Sequence, residues 1–218
     1  MQHDDDELTY WRHRTPVGVK VEEISGGSRY SEKLWPLMAR QVWGENGRDG
    51  EYRSIVHLPD GAPLLDGTDQ RISLSHTRGM LVVATLPPTP EADLTTFSPR
   101  AAMGVDTERV GREIPAVVRT RFLSDEEQEL IPDENTLLAW TCKEALYKAV
   151  LGQAKSWAEC YRILCLPDLQ TGAFGQAEVH LDGTDEPFVL YSYLSDGFIV
   201  TLALSTRCAT YKKAAEGK

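Results

Sequence analysis

Residues 72–86 read ISLSHTRGMLVVATL, and residues 190–204 read LYSYLSDGFIVTLAL. Each is a strand-like run, a glycine turn and a second apolar run, with Gly79 matching Gly197, so each predicts a β-hairpin. A second echo lies upstream of each hairpin, where Gly18-Val-Lys-Val-Glu22 has the outline of Gly104-Val-Asp-Thr-Glu108. Between strand and hairpin each half carries helix signals. Ser31 is a good N-cap for a helix over 32–43, with Leu34, Trp35, Leu37, Met38, Val42 and Trp43 on one broad face and Gly44 as its stop. In the second half, 114–122 reads as helix and Ser124 caps a short one. The most regular helix starts at Asp133 or Asn135 and runs to Leu151, where Gly152 stops it. Further strands are predicted over 18–24, 52–58, 101–110 and 176–181. The predicted class is α+β: two similar α+β halves in a pseudo-twofold arrangement, with the active site at their interface. The Pro- and Thr-rich stretch 87–100, PPTPEADLTTFSPR, reads as the linker, which divides the chain into 1–90 and 91–218.

Composition narrows the function. The 218 residues are 41% hydrophobic and 26% charged, ordinary for a globular protein. Lys and Arg number 23 against 33 Asp and Glu, a net charge of -10. Such a chain repels nucleic acid and anionic membranes, and the deficit is even, with 10 basic and 15 acidic residues in 1–99 and 13 and 18 in 100–218. Cys142, Cys160, Cys165 and Cys208 form no CxxC pair and suggest neither zinc nor a disulfide framework. The acidic start, Met-Gln-His-Asp-Asp-Asp-Glu, lacks the regions of a signal peptide, and the apolar runs 80–86 and 198–204 are only strand-sized. The expectation is a cytoplasmic, reduced, soluble protein without nucleic-acid or membrane partners.

Three segments carry chemistry. In Gly104–Glu108, Asp106 and Glu108 lie two apart on a strand and share a face. Neighbouring carboxylates repel unless a cation sits between them, and hard oxygen ligands suit Mg2+. A solvated strand face paired to Arg109 or Arg112 explains the same residues. In Trp140-Thr-Cys-Lys143-Glu144-Ala-Leu-Tyr-Lys148, positions 140, 144 and 148 share one helix stripe, with Lys143 beside it. A surface Glu–Lys pair and a phosphoryl-transfer site both use these groups. In Ser73-Leu74-Ser75-His76, hydroxyls and an imidazole at a strand end can hold an anion, or be simply solvated.

Taken in order, these segments resemble the 4'-phosphopantetheinyl transferases of the monomeric Sfp type. That family looks like G-[VI]-D-x-E, then F-[FL]-S-x-x-E, then W-x-x-K-E-[AS]-x-x-K, with a Ser-His strand end upstream. Here they stand as Gly104–Glu108, Phe122–Glu127, Trp140–Lys148 and Ser73–His76. The resemblance implies transfer of the phosphopantetheine arm of coenzyme A to a serine of an acyl or peptidyl carrier protein, releasing adenosine 3',5'-bisphosphate. It implies Asp106, Glu108 and Glu144 as Mg2+ ligands, and Glu144 also as base. It implies Lys148 on the phosphates, and Ser73, Ser75, His76 and Lys143 on the coenzyme A side. The family's G-[KR]-P is Gly61-Ala62-Pro63 here, and Arg29, Lys33, Arg40, Arg53 or Arg78 are candidates to replace the missing base, Arg40 among the coenzyme-binding set. The turn after the last lysine, Gly152-Gln-Ala-Lys155, also departs, as does Thr107 for Ile. Arg109, Arg112, Arg119 and Arg121 are candidates for docking an acidic carrier, and Trp140 reads mainly as core. The rivals are a Mg2+-dependent nuclease, which wants a basic groove, and a non-catalytic carrier-binding relic, which has no reason to keep Asp106, Glu108, Glu144 and Lys148 together.

Overall fold

The computed structural model of the chain describes residues 9–14, 20–25, 55–57, 63–65, 72–85 and 102–206. The predicted helix over 32–43, the linker over 87–100, Arg40 and Ala62 lie outside these residues. The described strands, in chain order, are β1 (Thr9–Arg14), β2 (Lys20–Ser25), β3 (Ile55–His57), β4 (Pro63–Leu65), β5 (Ile72–Thr77), β6 (Met80–Thr85) and β7 (Met103–Arg109). The helices α1 (Ala116–Phe122), α2 (Asp125–Leu130), α3 (Thr136–Ala149) and α4 (Trp157–Cys160) follow, then β8 (Tyr161–Cys165), β9 (Gly175–Leu181), β10 (Thr184–Ser195) and β11 (Phe198–Ser205). The class is α+β, with antiparallel sheets.

The strands form a four-stranded sheet in the order β1-β2-β6-β5, a five-stranded sheet in the order β7-β11-β10-β9-β8, and the small pair β3-β4. Both predicted hairpins are present, β5 on β6 and β10 on β11. Ser195 pairs with Phe198 across Asp196-Gly197, both with positive φ (45° and 79°), the two-residue turn whose twist matches a hairpin. The sequence echo has a counterpart in topology. Strand β2 pairs with β6 and β6 with β5, as β7 pairs with β11 and β11 with β10, all antiparallel. Strands β1, β4 and β8 and helix α4 go beyond the sequence expectation, and of the predicted 52–58 strand the described residues are 55–57, which form β3.

Two cores follow from alternation on β7. Met103 and Val105 enter an apolar cluster with Val21, Met80, Val82 and Ala84 from the first sheet and Phe198, Val200, Leu202 and Leu204 from β11. Gly104 and Asp106, on the other face, look onto α3. Helix α3 buries Ala139, Cys142, Ala145, Leu146 and Ala149 against the five-stranded sheet. Its end is closed by bonds from Gly152 N to Tyr147 O (2.9 Å) and Leu151 N to Lys148 O (3.3 Å), with Leu151 in the left-handed region at φ 55°. Cys142, Cys160 and Cys165 are free thiols. Among the described residues no helix is long and apolar enough to cross a membrane.

Candidate functional site

The site forms where two sheet edges meet. Strand β7 ends the five-stranded sheet and β5 ends the four-stranded one, so β7 has backbone amides with no neighbouring strand. The serine face of β5 supplies their partners. Ser73 Oγ accepts from Val105 N at 2.9 Å and Ser75 Oγ accepts from Thr107 N at 3.2 Å. Ser75 goes further: its hydroxyl donates to Asp106 Oδ1 (2.9 Å) and accepts from Lys148 Nζ (2.9 Å). With one donor and two acceptor sites engaged, that hydroxyl is saturated. Lys148 Nζ also donates to Asp106 Oδ1 at 2.7 Å. Residues from β5, β7 and α3 thus share one hydrogen-bonded knot.

Gly104 sets the spacing of that knot. A Cβ on Gly104 would stand 1.9 Å from Ala145 O and 2.6 Å from Ala149 N. Only glycine lets α3 approach β7 this closely, and the approach is what brings Lys148 to Asp106. On the same strand face, buried Glu108 accepts from Arg112 Nη1, whose guanidinium lies 5.8 Å from the centre of the Trp140 ring. Trp140 in turn meets Phe122 edge-on and stacks on Trp157, so it is half wall of the core and half seat for Arg112.

Burial and charge shift the acids upward. Burial pushes the Asp106 carboxyl above the usual range, opposed by Lys148 and Ser75. Burial, then the Asp106 charge, raises Glu144, opposed by Lys148 and Arg112. Burial, then Lys148, lowers the His76 imidazole, opposed by Asp106, which favours its neutral form. These shifts tie Asp106, Glu144, Lys148, Arg112 and His76 into one electrostatic unit.

The carboxylates offer the hard oxygens that Mg2+ takes, and Asp106 Oδ2 is buried with no hydrogen-bond partner among the described residues, a donor atom left for a cation. In these respects the residues fit the metal. Among the described residues, however, no three His, Cys, Asp or Glu side chains are grouped closely enough to hold a metal ion. Lys148 and Arg112 each occupy an oxygen of a strand carboxylate instead.

Three expectations on the coenzyme side change. Lys143 is not brought to this cluster. It is fully buried on another face of α3, donating to Glu127 Oε2 at 2.7 Å, to Trp157 O at 3.3 Å and to Tyr161 O. Its three protons are used, which leaves none for a phosphate. Ser73 and Ser75 reach the cluster but are buried and engaged with β7 rather than open to a ligand. His76, by contrast, is exposed beside the knot.

The partner of Lys143 escaped sequence reasoning. Glu127 closes a capping box with Ser124, accepts from Ile163 N at 2.7 Å and pairs with Lys143, tying α2, α3 and β8 together. A signal existed. Lys143 falls on the same stripe as Ala139, Cys142 and Leu146, at the i, i+3, i+4, i+7 spacing of a buried face. Of the proposed docking arginines, Arg112 is committed to Glu108, and Arg119 is bonded to Ile131 O (2.6 Å) and Gln128 O (3.1 Å).

Residues 102–203 match the family model of the 4'-phosphopantetheinyl transferase superfamily. The match takes in β7, α3 and most of β11, with Asp106, Glu108, Glu144 and Lys148, and stops short of the Ser73–His76 strand. No curated protein matches the chain.

Proposed function

We propose that the protein transfers the 4'-phosphopantetheine group of coenzyme A to a serine of an acyl or peptidyl carrier protein. The observation that carries this reading is the coincidence of the family match with a physical cluster: Asp106 on β7 and Glu144 and Lys148 on α3 fall within residues 102–203 and interact. In the reaction the serine oxygen forms a bond to the phosphorus that bears the pantetheine. The bond from that phosphorus to the bridging diphosphate oxygen breaks, and adenosine 3',5'-bisphosphate leaves. Glu144 takes the serine proton, and its raised proton affinity suits a base better than an ordinary glutamate. Lys148, drawn toward the phosphates, offsets their charge. His76, held toward neutrality, accepts or donates a hydrogen bond at the nucleotide end. Asp106, Glu108 and Glu144 would hold Mg2+, which when bound neutralises diphosphate charge.

The Sfp-type arrangement is part of the same reading: a monomer of two halves, 1–90 and 91–218, with coenzyme A between them. It rests on the shared order of β2-β6-β5 and β7-β11-β10 and on the knot joining β5 to β7. The test is direct. The full-length protein is incubated with coenzyme A, Mg2+ and an apo carrier protein, and the carrier is weighed by mass spectrometry. A carrier heavier by one phosphopantetheine supports the reading; an unchanged carrier, across carriers of fatty-acid, polyketide and peptide synthesis, refutes it.

A further inference from the structure

Both strand carboxylates of the site already carry a protein cation. Lys148 Nζ stands 2.7 Å from Asp106 Oδ1, and Arg112 Nη1 bonds Glu108 Oε1. Each cation has a second hold: Ser75 Oγ for Lys148 and the Trp140 ring for Arg112. Neither is locked in, since the side chains remain 28% and 46% exposed, unlike that of Lys143 at 0%. Asp106 Oδ2, beside them, is buried and has no hydrogen-bond partner among the described residues.

We infer that Lys148 and Arg112 are resting counter-cations that compete with a divalent metal for Asp106 and Glu108, and that anionic phosphate relieves this competition by drawing them away. The physical reason is charge balance. Two adjacent buried carboxylates cannot stay ionised without compensation, so the chain supplies it from its own side chains. A divalent ion entering alone meets carboxylates already neutralised. Entering with a diphosphate, it finds Lys148 and Arg112 offered a better partner. Coupling of this kind is reciprocal: phosphate tightens metal by the factor that metal tightens phosphate. The inference rests on the transferase reading only for the identity of the phosphate.

The test measures metal binding rather than turnover. Mn2+ is titrated into the full-length protein, free ion being followed by electron paramagnetic resonance, with and without coenzyme A. Asp106→Asn supplies the background of unspecific binding. Without coenzyme A, Arg112→Gln and Lys148→Gln should each bind Mn2+ about two- to fivefold more tightly than wild type, the scale of losing one partly exposed ion pair. Coenzyme A should tighten wild type more than it tightens either variant. Diphosphate ligation alone would also couple the two ligands, so the decisive arm is the one without coenzyme A. Unchanged or weaker Mn2+ binding there in Arg112→Gln, whose half-exposed side chain can be lost without unfolding the chain, overturns the inference. So does absence of Mn2+ binding in all samples. Arm transfer to a carrier, assayed on the same wild-type sample, shows separately whether the transferase reading stands.

Discussion

Helix α3 carries two lysine–carboxylate pairs, five residues apart, and they differ in what they leave unfinished. Lys143 and Glu127 are buried, and their bonds are complete: the ammonium has a carboxylate and two carbonyls, and the carboxylate has an ammonium and two backbone amides. Asp106 is buried too, but its partner Lys148 is only partly enclosed, and one oxygen of the carboxylate has no partner among the described residues. The same two chemical groups therefore make a fastener in one place and a reactive cluster in the other. What separates them is unspent bonding capacity beside a route to solvent, a better guide to function than the presence of the pair.

The largest expected effect breaks the fastener. Lys143→Ala or Glu127→Ala strands a buried charge and should cost about 3–5 kcal/mol in urea denaturation. Lys143→Met with Glu127→Leu should recover much of that, and arm transfer per folded molecule should stay near wild type. If Lys148→Ala costs as much stability as Lys143→Ala, the distinction between the pairs fails.

Next is the cluster itself. Asp106→Ala should lower turnover at least about 100-fold, the scale of losing one main electrostatic contributor. Near wild-type turnover with the fold intact by circular dichroism would remove Asp106 from the chemistry.

A smaller effect is a slope with pH. Asp106 and Glu144 hold their protons in the folded chain to higher pH than their ordinary values of 3.8 and 4.5. Unfolding in that window releases protons, so stability falls as pH rises through it. His76, whose folded value is lowered from 6.5, acts oppositely: its unfolded form binds the extra proton, and stability falls as pH drops through that window. Glu144→Gln should flatten the fall on the alkaline side of 4.5 and leave the histidine limb, read as the difference between wild-type and variant stability from pH 4 to pH 8. Superimposable curves would mean that Glu144 titrates as an ordinary surface acid.

The smallest effect is stabilising. Thr107 is buried and its hydroxyl has no hydrogen-bond partner among the described residues, while Thr107 N is served by Ser75. Thr107→Val keeps the shape and removes the unpaired hydroxyl, and should gain up to about 1 kcal/mol in denaturant midpoint. A loss would mean that the hydroxyl is bonded after all.

Much of this was legible in the residues. The hairpins declared themselves through alternation and Gly79 and Gly197, and α3 through its long 3.6-residue period. Strand β7 was read within 101–110, and the pairing of Ile72 and Leu74 against Ser73 and Ser75 gave β5 two faces. Strand β8 was not legible, because five residues reading Tyr-Arg-Ile-Leu-Cys have too few alternations to stand out. At the site, type and order of residues pointed to the cluster, and sidedness did not. Residue 143 adjoins residue 144 in sequence yet turns about 100° around the helix, so Lys143 enters the core while Glu144 joins the acids. Nor could spacing show that the β5 serines would be spent on the backbone of β7, since that bond joins residues 32 apart.

The serine rungs between β5 and β7 have one more consequence. A bare sheet edge is a template on which another extended chain can dock, and that is how many proteins begin to aggregate. Ser73 and Ser75 plug this edge with side-chain oxygens at alternate amides, so no incoming strand finds a free register there. The same two hydroxyls that organise the site thereby cap a sheet edge, and alanine at both positions would leave the Val105 and Thr107 amides without these partners.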